Sequence, residues 1–113
     1  MERAELEGLL ATADDAAAAA LSALREGGSY SMWADTTPAR TLAHTYARRL
    51  RLTRRDGTET LGLEPAVRLL TGHDGPVRLG RIGSVDGSWT YLLFLTEDGE
   101  ELLACTGVRR RQP

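Results

Sequence analysis

The sequence predicts an α+β fold. A long N-terminal helix and a second, short helix pack on one face of a mostly antiparallel sheet of about five strands, which ends in a three-stranded meander. Three observations predict it. Tyr91 to Leu95 is a run of five apolar residues with no polar break. Strand side chains alternate between faces, so such a run seeks burial on both. Asp86-Gly87 precedes the run and Asp98-Gly99 follows it, and Asp-Gly is a strong hairpin signal. Finally, Leu6, Leu10, Ala13, Ala17, Ala20 and Leu24 recur at spacings of three and four, the stripe of an amphipathic helix.

The first element is a helix from Glu2 to Glu26, ended by Gly27-Gly28. At 1.5 Å per residue it is a rod of roughly 37 Å, against a radius of gyration of about 13 Å for a compact chain of this size. It therefore overhangs the domain, and Leu10, Ala13, Ala17 and Leu24 are the residues expected to meet a second copy. A break at Asp14-Asp15 into two helices is the alternative.

Ser29 to Asp35 reads as a linker or a short edge strand. Thr36-Thr37-Pro38 is a helix start, with a hydroxyl cap and a proline in the first turn. A helix from Pro38 to Tyr46, a strand from Ala47 to Arg55, an Asp56-Gly57 turn and a strand from Thr58 to Leu63 follow. Glu64-Pro65 opens a short helical segment through Leu70, and Thr71 to Pro76 reads as a loop. The meander comprises Val77–Val85, Ser88–Thr96 and Glu100–Val108. The 113 residues then form one domain. It comprises an N-terminal helix (1–27), a linker and second helix (28–46), a sheet region (47–108) and a polar tail (109–113).

Hydrophobic residues make up 42% of the chain, charged residues 27%, and the net charge is −2. These are the proportions of an ordinary soluble globular protein, and they give no general case for nucleic acid or a membrane. All 14 basic residues are arginine and lysine and asparagine are absent, which points to a GC-rich bacterial genome. The single cysteine, Cys105, excludes an internal disulfide and fits a reducing compartment. No signal-peptide pattern opens the chain, and Ala16 to Leu21 is too short to span a bilayer. A cytoplasmic location is expected.

Charge is segregated along the chain. Residues 1–37 hold seven acids and two arginines; residues 38–55 hold six arginines and no acid; residues 56–113 hold nine acids and six arginines. Arg48, Arg49, Arg51, Arg54 and Arg55 thus form a block suited to an acidic partner or to phosphate. No aromatic residues interleave with the block as a nucleic-acid surface would require, so the block is expected to face either the acidic first helix or an acidic protein surface. Tyr30, Trp33, His44, Tyr46, Trp89 and Tyr91 are candidate pocket residues, because polar-tipped rings around a curved sheet can line a ligand site.

Catalysis and metal binding find little support. His44 and His73 are the only histidines, and neither HxH, HExxH nor paired-cysteine spacing occurs. His73-Asp74 in a Gly/Pro-rich stretch reads as polar turn residues, and Cys105 as a small core side chain. No cofactor and no metal are expected. The expected function is a small non-enzymatic protein-interaction module (an adaptor, inhibitor or accessory subunit) that forms a homodimer. A small-molecule-binding domain with helices over a curved sheet is the second reading, and nucleic-acid binding through the arginine block the third.

Overall fold

A computed structural model of the chain describes residues 3–11, 15–46, 68, 70–72 and 75–109, with residues 43–46 described by backbone alone. The order of elements is α1 (Arg3–Ala11), α2 (Asp15–Arg25), β1 (Tyr30–Pro38), α3 (Ala39–Tyr46), β2 (Pro76–Gly83), β3 (Trp89–Thr96) and β4 (Leu102–Arg109). Among the described residues the four strands form one antiparallel sheet in the order β1-β2-β3-β4. The α+β class and the meander are as expected. The expected strands Ala47–Arg55 and Thr58–Leu63 lie outside the described residues.

The meander forms where its two Asp-Gly turns place it. Gly87 and Gly99 have φ of 75° and 74°, the left-handed conformation that glycine adopts without a Cβ penalty. Each aspartate locks its turn from within. Asp86 Oδ1 accepts from Ser88 N–H at 2.9 Å and from the hydroxyls of Ser84 and Ser88 at 2.8 and 2.6 Å. Asp98 Oδ1 accepts from Thr96 Oγ1 at 2.6 Å and from Glu100 N–H at 2.9 Å. The two turns are thus built alike, as hydroxyl, any residue, Asp, Gly.

The N-terminal segment differs from the single long helix expected of it. It comprises α1 and α2, of nine and eleven residues, and the guanidinium of Arg3 donates to the carbonyl of Leu24. The start of α1 therefore meets the end of α2, so the pair runs antiparallel. The longest extent of the molecule is 35 Å, shorter than the 37 Å rod. Folding back lets both halves of the apolar stripe cover the same sheet. The α2 terminus is as read: Gly27 has φ of 95°, Gly28 N–H reaches Ala23 O at 2.8 Å and Gly27 N–H reaches Leu24 O at 3.2 Å. These are the paired bonds of a Schellman cap.

α1 and α2 bury Leu6, Leu10, Ala17, Ala20 and Leu24 against Ile82, Tyr91, Leu93, Leu95 and Cys105. The second helix does not join them, contrary to expectation. Ala39 and Leu42 of α3 pack with Leu70, Val77, Leu79, Leu92 and Phe94 on the opposite face. The chain passes along the sheet edge as β1 and emerges beyond it, so α3 drops onto the side that the first pair left open. Both faces of β3 are consequently covered: Leu93 and Leu95 are 0% exposed and Phe94 1%. Two boundaries also move. The segment read as linker or edge strand is a full strand at the edge, and Thr71 and Gly72, read as loop, are helical.

Candidate functional site

Between Met32 and Thr36 the register of β1 against β2 breaks: Met32 pairs with Gly80 and Thr36 with Arg78. Three residues of β1, Trp33 to Asp35, therefore stand opposite the single residue Leu79. A bulge of this kind takes backbone carbonyls out of the ladder, and they need other donors. Arg78 supplies them. Its Nη1 donates to Ala34 O at 2.7 Å and to Trp33 O at 3.2 Å, while Nε donates to Glu97 O at 3.0 Å. One guanidinium thus ties the bulge of β1 to the turn that follows β3.

That tie forms the floor of a cleft of about 690 Å³. Glu5, Gly8 and Leu9 of α1 make one wall, and Glu97, Asp98, Gly99 and Glu100 of the β3–β4 turn make the other. Met32 and Arg78 close the bottom. Among the described residues, four carboxylates and one guanidinium line the cleft, a local excess of three negative charges. The hydrogen bond from Thr96 and that from Glu100 N–H hold the carboxyl of Asp98 below the ordinary 3.8, so it is ionised at neutral pH. Among the described residues no three His, Cys, Asp or Glu side chains gather as a metal site.

Of the aromatic residues named from sequence, Tyr30, Trp33, Trp89 and Tyr91 are not among the described residues that line this cleft. Trp89 and Tyr91 stack at 6.1 Å between ring centroids and are 7% and 1% exposed within the core under α1 and α2. Tyr30 packs at the edge of that core, where burial raises its hydroxyl pKa. Its oxygen is buried without a hydrogen-bond partner among the described residues. Trp33 stands apart at 44% exposure. The side chains of His44 and Tyr46 lie outside the described residues.

The other named residues divide likewise. Leu10, Ala17 and Leu24 are at most 1% exposed and pack within the chain; Ala13 lies outside the described residues. So do Arg48, Arg49, Arg51, Arg54 and Arg55, and His73-Asp74. Cys105 is 2% exposed in β4. The cleft residues were not singled out in the sequence, because Glu5, Met32, Arg78 and Glu100 meet only after α1 folds over the sheet. The one local sign was the Asp98-Gly99 turn.

No family model, curated protein or solved structure matches the chain. No helix among the described residues is long and apolar enough to cross a membrane.

Proposed function

We propose that this protein is a small non-enzymatic interaction module, an adaptor, inhibitor or accessory subunit working as a homodimer in a bacterial cytoplasm. The observation that carries the reading is Trp33. It is 44% exposed on β1, the edge strand of the sheet among the described residues, while Trp89, Tyr91 and Phe94 are buried. Tryptophan is the side chain most enriched at the energetic centres of protein interfaces. Edge strands also present backbone groups that a partner's strand can pair. The exposed Val85 is an isolated residue in a turn and needs no such account. The small-molecule reading loses ground because Trp89 and Tyr91 fill the core instead of lining an enclosed cavity.

Affinity capture from the native host tests the proposal, with Trp33→Ser run beside the wild-type protein. The expected result is a stoichiometric partner retained by the wild type and lost by the variant, with melting temperatures unchanged. Equal retention by both overturns the role given to Trp33. Leu10, Ala17 and Leu24 are buried within the chain, so a dimer would form through β1 and Trp33, and light scattering at micromolar concentration is expected to report it. Neither duplex nor single-stranded oligonucleotide is expected to bind at about 50 mM salt, where phosphate contacts are strongest.

A further inference from the structure

We infer that the cleft between α1 and the β3–β4 turn docks an arginine or lysine side chain carried on an extended segment of a protein partner. This rests on the reading of the chain as an interaction module.

Charge is the first ground. Among the described residues the cleft is lined by Glu5, Glu97, Asp98 and Glu100 and by Arg78, whose Nε and Nη1 are directed at backbone carbonyls. The carboxylates outnumber the guanidinium among these residues, so a partner's cation is attracted and a partner's carboxylate is repelled. Shape is the second ground. A volume of about 690 Å³ lies within the range of sites that take organic groups. Leu9 and Met32 give the interior an apolar lining on which the methylene stem of a long basic side chain can lie while its head meets the carboxylates.

The layout of the carboxylates is the third ground. They come from two separate elements, α1 and the β3–β4 turn, and among the described residues no three of them gather as ligands of one metal ion would. An elongated cation fits that layout, and a guanidinium can address both walls with separate donors. The site is also held ready before a partner arrives. Arg78 fixes the floor, and Asp98, through Thr96 and Glu100, fixes one wall. A preformed cleft loses less conformational entropy on binding than one that must be ordered.

The test is calorimetric titration of the whole protein with two capped peptides, acetyl-Leu-Arg-Leu-Arg-Leu-amide and its counterpart with glutamate for arginine. The variant E5Q/E97Q/E100Q removes three charges without altering shape, and leaves Asp98 in place because it builds the turn. The wild type is expected to bind the arginine peptide one to one, at least tenfold more tightly than the glutamate peptide. The variant is expected to lose about tenfold at about 50 mM salt. Amide shifts in the wild type on adding the arginine peptide are expected at Gly8, Leu9, Met32 and Gly99, a readout that does not depend on the variant folding. Equal binding of the two peptides, an unaffected variant, or shifts confined to other residues each overturn the inference. Loss of a captured partner in Trp33→Ser without peptide binding at the cleft sinks this inference alone. Peptide binding at the cleft with capture indifferent to Trp33 sinks only the role of Trp33.

Discussion

On one strand, Tyr91, Leu93 and Leu95 face α1 and the alanine-rich α2, whereas Leu92 and Phe94 face α3 and Leu70 on the other side. The two faces reach the same dryness by different means. On the first, α2 contributes mostly alanines beside the leucines of α1, and the sheet contributes bulk, including the stacked rings of Trp89 and Tyr91. On the second, leucines from the helical side meet Phe94, Leu92 and Leu79 of the sheet. Interiors pack to a constant density, so a helix of alanines must come closer than a helix of leucines. The alanine-lined part of the first face is therefore the more sensitive to added volume, while both faces are sensitive to lost volume.

The largest expected effects come from emptying either side. Leu93→Ala and Phe94→Ala are each expected to destabilise the fold by about 2–5 kcal/mol, read as a shift of the urea midpoint at constant slope. A loss below about 1 kcal/mol in one of them would mean that its face is open to water.

A smaller change of opposite sign is expected from Thr106. This residue is 1% exposed, lies opposite Leu92 in the ladder, and its hydroxyl has no hydrogen-bond partner among the described residues. A buried hydroxyl without a partner costs stability, so Thr106→Val is expected to raise it by about 1 kcal/mol. A lowered urea midpoint would show that the hydroxyl is bonded, and that the second face is more polar than the first.

The smallest effect concerns the turn that decides which residues face which side. A slip of one residue between β2 and β3 would exchange the two faces, and Asp86 guards against it. Three hydrogen bonds, led by those of Ser88, lower its pKa from 3.8 to about 2. The folded value lies below the unfolded one. The stabilisation is therefore fully present above the unfolded pKa and lost as pH falls through about 2. Asp86→Asn is expected to be less stable than wild type at pH 7, with the gap closing between the ordinary value of 3.8 and about 2. A gap independent of pH would show that the carboxylate charge is irrelevant to the turn.

How much of this was legible in the sequence differs between the faces. The unbroken run Tyr91–Leu95 and the two Asp-Gly pairs carry local information, and the meander they imply is observed to within a residue or two at most strand ends. The alanine stripe was legible as a buried surface, but its destination was not. Leu6, Leu10, Ala17 and Leu24 fall on one stripe whether the helix continues or folds back, because periodicity records a face and not a direction. α3 was legible as a helix start after Thr36-Thr37-Pro38. The side of the sheet it covers depends on β1 lying at the edge, which is a long-range pairing. The cleft is the extreme case, since its walls are some ninety residues apart in sequence.

The two tryptophans occupy opposite environments, Trp33 44% exposed and Trp89 7% exposed and stacked on Tyr91. That division gives the molecule two optical channels. Trp89 is expected to emit at shorter wavelength, to resist a dissolved quencher such as acrylamide, and to receive excitation from Tyr91. Trp33 is expected to emit at longer wavelength and to be quenched readily. Loss of the short-wavelength component then reports the opening of the core, while shielding of the long-wavelength component reports something settling on β1. One unlabelled sample can thus keep the record of folding apart from the record of docking.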